Sequence, residues 1–153
     1  MEAMVRGKKL ILGCGQFWPK ENDNWRVDII PGQNVDETTD LNEASWPFED
    51  NTFLHINASH LIEHLKDLKS FMNECHRILI PGGTLYIETP LAGGDPDLEF
   101  ADPTHVRCYR PHTFINYMTI EGEGKFRYGF KPWGSLHIEA KDSIMRIHAM
   151  PIK

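Results

Sequence analysis

The sequence predicts an α/β protein built on a mostly parallel sheet, and three observations carry that expectation. Short apolar runs recur through the N-terminal part of the chain ("KKLILGCG", "NWRVDII", "NTFLHINAS", "TLYIETP"), each ending in a breaker. A single segment of helical period lies between the last two runs, giving strand–helix–strand. The C-terminal stretch alternates about Lys141-Asp142, as an antiparallel hairpin does.

In order, "KKLILGCG" reads as a buried strand running into a tight glycine loop, and "NWRVDII" as a shorter strand stopped by "PGQN". "VDETTDL" is a third strand candidate, weakened by its polarity; the alternative is that it pairs antiparallel or stays irregular. The connections "QFWPKENDN" and "PGQN" are shorter than the roughly twelve residues that a parallel crossover needs. Trimmed first crossovers are therefore expected. "NTFLHINAS" is the next strand. In "DLKSFMNECHRIL" the positions Leu68, Phe71, Met72, Cys75, Ile78 and Leu79 fall on one helical face, with Asp67 and Ser70 at the start and Pro81-Gly82-Gly83 as the stop. "TLYIETP" follows as a strand. "LAGGDPDLEFADPTHVRCYRP" reads as a long loop of the kind that carries function, and "HTFINYM" as a short helix.

The 153 residues fit one domain, 1–153, large enough to bury its own core. A net charge of −6 with scattered Lys and Arg argues against nucleic acid as the main partner. Three separated cysteines fit a reducing compartment better than a disulfide framework. The N-terminal "MEAMVRGKKLILGCG" lacks a signal-peptide core, and no run reaches the length of a membrane span. The expectation is a soluble, cytoplasmic protein with no membrane partner and an undetermined oligomeric state.

"ASHLIEHLKDL" contains His-x-x-Glu-His, at His60, Glu63 and His64. On a helix these side chains share a face, a pattern known from one group of zinc peptidases. Three features weigh against that reading: the strand just upstream, a better helix start at Asp67, and no obvious third ligand for a catalytic zinc. The expected metal content is none. His55, His76, His137 and His148 fall within predicted elements and read as structural.

Taken together, "LILGCG", "VDII", "TTDLNEASWPFEDNTF", "ASHLIEHLKDLKSFMNECHRILIPGGTLYIETP" and "ADPTHVRCY" resemble, in this order, the class I S-adenosylmethionine-dependent methyltransferases, in particular the small type-11-like domains. The resemblance covers roughly Leu10 to Tyr109, and its most specific part is the block ending Arg-Ile-Leu-Ile-Pro-Gly-Gly. It implies a Rossmann-like sheet and methyl transfer from S-adenosylmethionine to an O or N nucleophile of a small-molecule acceptor. Alternatives are a protein that binds S-adenosylmethionine without transferring the methyl, or a metal-dependent hydrolase using His60, Glu63 and His64.

What the resemblance implies for residues runs as follows. The loop Gly13, Cys14 and Gly15 holds the methionine part of the cofactor, where missing side chains let backbone approach a ligand. Asp28 accepts both ribose hydroxyls, Ile29 and Leu41 flank the adenine, and Asp40 accepts from its exocyclic amine. Ser59 and His60 face the methionine moiety. On the substrate side, His105 is a candidate general base, Arg107 a clamp for an anionic group, and Asp102 and Tyr109 complete the wall. His60 is a second candidate catalytic group. Bland readings stand beside these: a Gly-Cys-Gly turn, a capping Asp28, a core Leu41, a surface His105 and Arg107. The chain departs from the family pattern at Ile11, where an acidic residue is common, and at Phe17, where a third glycine is common.

Overall fold

The computed structural model describes residues 7–15, 23–119 and 128–153. The apolar run at its start forms strand β1 (Lys9–Leu12), with Leu10, Ile11 and Leu12 all buried. Strands β2 (Asn24–Asp28) and β3 (Glu37–Thr38) extend the sheet on one side, and β4 (Phe53–Ser59) and β5 (Leu79–Pro90) on the other. The hairpin β6 (Trp133–Lys141) and β7 (Ile144–Pro151) closes the far edge. The order is β3-β2-β1-β4-β5-β7-β6, parallel from β3 to β5 and antiparallel beyond. This is the mostly parallel, Rossmann-like sheet with a C-terminal antiparallel hairpin that the sequence predicts.

No described residue between β2 and β4 is helical, so the second and third connections are trimmed to turns and bends. The polar "VDETTDL" contributes only Glu37 and Thr38 to the ladder, parallel to β2. Too few of its residues can be buried on both faces to extend the pairing. Helix α1 (Leu68–Ile78) begins at Asp67, whose carboxylate accepts from the N–H groups of Lys69 and Ser70 at 2.9 and 3.1 Å. That satisfies two of the donors a helix start leaves free. Its apolar stripe lies against the sheet beside Trp46 and Phe48.

Two local readings are corrected. Pro81-Gly82-Gly83 is not what stops the helix but lies within β5, which starts at Leu79 directly behind Ile78. The pairing jumps from Phe53↔Leu79 to His55↔Thr84, a bulge that absorbs the extra residues. A Cβ at Gly83 would lie 3.0 Å from the carbonyl oxygens of Ile80 and Leu54, a close approach that favours glycine. In the long loop after Pro90, Pro96–Phe100 forms a short helix, α2. Asp95 caps it and Pro96 opens it, a start signal that the sequence displays. Helix α3 (Pro111–Met118) follows as expected.

The hairpin turns on Asp142 and Ser143, at φ +52° and +62°, as a two-residue turn matched to the strand twist demands. Along the sheet, register gives each face a distinct character. Leu10, Leu12, Ile56, Ala58, Leu85, Ile87, Ile147 and Ala149 share one face and are all buried. The opposite face carries His55, Asn57, Ser59, Thr84, Tyr86, Glu88, Arg146 and His148. No helix among the described residues is long and apolar enough to cross a membrane.

Candidate functional site

The chain leaves β1 toward β2 and β3 on one side, then returns to place β4 and β5 on the other. The carboxyl ends of β1 and β4 therefore flank the point where the strand order reverses, the usual ligand crevice of such sheets. A cleft of about 490 Å³ opens there, lined by Gly13, Cys14, Gly15, Asn57, Ser59, His60, Tyr86 and Glu88.

Its floor is the loop after β1. Gly13 and Gly15 adopt φ +64° and +58°, a region glycine enters without cost. Among the described residues a Cβ at Gly15 would meet nothing within 4 Å, whereas at Gly13 it would press on Leu61 at 3.0 Å. Cys14 N–H donates to the Val27 carbonyl, and its side chain is buried. Burial pushes the Cys14 thiol above its ordinary pKa, so the residue serves the cleft through its backbone.

Asp28 ends β2 and braces this loop. Its Oδ2 accepts from Gly15 N–H at 2.8 Å and its Oδ1 from Ile30 N–H at 3.0 Å. A carboxylate has about four acceptor sites, so each oxygen keeps one for a ligand. Ile29 stands uncovered at 58% exposure. Asp40 accepts from the backbone and side-chain nitrogens of Asn42, which hold its carboxyl below the usual range. Leu41, by contrast, is packed into the core.

His60 sits at the mouth in a left-handed conformation, φ +50°, uncommon for a bulky residue and a mark of constraint. Its ring spans two carboxylates: Nδ1 is 3.4 Å from Glu63 Oε1 and Nε2 is 3.5 Å from Glu88 Oε1. The Glu63 carboxylate, with Glu88 in support, raises the His60 pKa above 6.5 against the opposing effect of burial. Glu88 Oε2 in turn accepts from Tyr86 Oη at 3.0 Å and from Arg146 Nε at 2.8 Å.

The substrate-side candidates are scattered. Tyr109 is buried, its hydroxyl 3.5 Å from the Ile62 carbonyl and its ring against Phe114, so it is a core residue and not a cleft wall. Arg107 lines a different hollow with Lys66, Lys69 and Tyr117. Asp102 accepts from the Thr104 hydroxyl and N–H, which keep its carboxyl below the usual range. His105 stacks edge-on against His64, ring centroids 4.8 Å apart, and is not among the residues that line the cleft. Phe17 lies outside the described residues, and Ile11 is buried.

Three cleft residues escaped the sequence reading: Asn57, Tyr86 and Glu88. The signal was there, because they alternate with the buried Ile56, Ala58, Leu85 and Ile87 and must face the other way.

This is the fold of class I methyltransferases. Residues 30–87 match the model of a family described as a methyltransferase domain. A SAM-dependent methyltransferase from Archaeoglobus fulgidus superposes with a TM-score of 0.70 at 17% identity, over 97% of this chain and 88% of that one. One from Mesorhizobium loti gives 0.65 at 16% identity, over 97% and 94%. A Haemonchus contortus phosphoethanolamine N-methyltransferase, solved with S-adenosyl-L-methionine, gives 0.64 at 11% identity, over 97% of this chain and 49% of that one. No curated protein sequence matches the chain.

Proposed function

We propose that the protein transfers a methyl group from S-adenosylmethionine to an O or N nucleophile of a small molecule. The observation that carries this reading is the cleft at the strand-order reversal, floored by Gly13–Gly15 and braced by an Asp28 with acceptor capacity to spare. The donor set suits the cofactor. Asp28 would accept from the ribose hydroxyls, the backbone at Gly15 and the Ser59 turn would receive the methionine part, and the exposed Ile29 would lie along the adenine. Glu88 supplies a carboxylate on the cleft wall, in a chain whose position 11 has none.

The bound cofactor contributes an electrophilic methyl on a sulfonium, and the protein's task is to hold an acceptor in line with it. His60 is the cleft residue equipped to take the acceptor's proton. Glu63 fixes its Nδ1 side, and the raised pKa strengthens it as a base while requiring a somewhat higher pH for the neutral form. His105 does not border the cleft, so the base role passes to His60. Asp40 remains an adenine contact in this reading, with Asn42 holding its carboxylate.

Calorimetry with S-adenosylmethionine on the protein and on Asp28→Ala tests the reading. Loss of hydrogen bonds to a charged acceptor should weaken binding about tenfold or more. In turnover assays that follow S-adenosylhomocysteine, His60→Ala should slow the reaction more than it weakens binding. Absence of saturable binding, or an Asp28→Ala affinity equal to wild type, overturns the proposal.

A further inference from the structure

The Glu63 carboxylate has one oxygen that the cleft does not explain. Its side chain is 0% exposed, and Oε2 accepts from Thr89 Oγ1 at 3.0 Å. Among the described residues Oε1 has no hydrogen-bond donor, although a buried carboxylate oxygen ordinarily demands one. The nearest basic atom is His60 Nδ1, at the long distance of 3.4 Å.

The loop after β5 delivers a further histidine to the same place. Val106 and Arg107 N–H groups both donate to the Glu63 carbonyl, at 2.8 and 3.3 Å, pinning this part of the loop to the turn at Ile62–His64. His105 is thereby brought edge-on to His64.

Hydrogen bonds determine which nitrogen of each ring is free. His105 Nδ1 lies 3.0 Å from the Glu99 carbonyl, which can only accept. Nδ1 therefore carries the proton, and Nε2 keeps its lone pair. His64 Nδ1 lies 2.9 Å from Thr104 Oγ1, whose single proton is committed to Asp102 Oδ1 at 2.6 Å. A carboxylate cannot donate, so His64 Nδ1 donates to the hydroxyl and its Nε2 is also free. Two imidazoles, each with Nδ1–H held by an outer acceptor, are in the state in which histidines ligate metals.

One ligand atom from each of Glu63, His64 and His105 lies within 4.8 Å of the other two. We propose that these three residues bind a single divalent transition-metal ion of the zinc type, with a fourth position open to solvent. Two nitrogens and one carboxylate oxygen suit zinc or cobalt rather than magnesium or calcium, which prefer oxygen throughout. Bonds of about 2.0–2.2 Å require the ligand atoms to draw closer than they stand. The two histidines are only half-buried, which leaves their rings room to close in, while Glu63 is fixed by Thr89. The site differs from the sequence spacing that suggests it: His60 is not in the set, and His105 replaces it as the missing third ligand. Bound metal would fasten the long loop to the turn after β4.

The test uses the full chain, stripped with chelator and kept free of S-adenosylmethionine, so its result is independent of the cofactor reading. Cobalt is titrated by visible absorption and zinc by calorimetry. The expected result is one equivalent bound, with the intense absorption of four-coordinate cobalt. His64→Ala and His105→Ala should each lose about tenfold or more in affinity, since even outer partners of ligands cost that much. The His137→Ala/His148→Ala double variant, at an exposed pair on the hairpin, should bind as wild type. Circular dichroism checks that each variant is folded. Thr104→Val, which frees the His64 ring without removing a ligand, should weaken binding less than His64→Ala. No stoichiometric binding, or a loss caused by the His137/His148 pair and not by His64, overturns the site.

Discussion

The two faces of the central sheet follow the same strands and obey different physics. On one face Ile56, Ala58, Leu85, Ile87 and Ile147 meet α1 and the aromatic rings of Trp46 and Phe48, and no side chain is more than a few per cent exposed. One residue away on their strands, Tyr86, Glu88 and Arg146 form a polar network that ends at His60 and the cleft. No described residue between β2 and β4 is helical. One face holds the fold together, and the other leaves its polar groups available for chemistry. Adjacent residues of one strand should therefore respond to substitution in different units.

Ile87→Ala should show the largest effect, a loss of about 3 kcal/mol in urea unfolding, because the cavity left in a packed face cannot fully collapse. A cost under about 1 kcal/mol would mean that the face under α1 is not the main core. Next in size, Asp67→Ala should cost about 1 kcal/mol by removing the cap of the helix that covers this face. The Ser70 hydroxyl, first among its partners, lowers the Asp67 pKa below 3.8. That stabilisation is present above the unfolded value and fades as pH falls through the folded one. The gap between wild type and Asp67→Ala should accordingly close in acid, which unfolding midpoints across pH will reveal.

The smallest effect on stability is expected at Glu88, beside Ile87 but on the open face. Glu88→Gln should shift stability by no more than about 1 kcal/mol, as expected for a solvent-accessible ion pair. Its signature lies in titration instead. His60 has a raised pKa, so its charged contacts contribute below pH 6.5 and are lost as pH climbs through the raised value. Without the Glu88 charge the His60 midpoint should fall toward 6.5, measured by NMR of the imidazole. An unchanged midpoint would assign the whole shift to Glu63 and detach Glu88 from the cleft.

Much of this was legible in order along the chain. The glycine loop, the end of β2 at Asp28, the cap at Asp67 and the hairpin at Asp142 are local features, each set by backbone preference or a nearby side chain. Leu41 and Tyr109 are buried in the core, which their sequence could not decide because burial is a tertiary quantity: an apolar or aromatic residue near a cleft has the same sequence signature whether it faces ligand or core. Asn57, Tyr86 and Glu88 required knowing which side of the sheet α1 covers. The partnership of Glu63 and His64 with His105 was beyond any spacing rule, since it depends on two backbone hydrogen bonds that draw a distant loop onto the turn.

By itself, then, the sequence determined the succession of strands and helices, the glycine loop and the acid that braces it, because these depend on periodicity and neighbours within a few residues. Only the tertiary structure decided which face of the sheet is core, that His60 bridges two carboxylates, and that a loop histidine stands beside Glu63. Those outcomes depend on side chains brought together from distant strands and loops, whose separation in sequence carries no record of their distance in space.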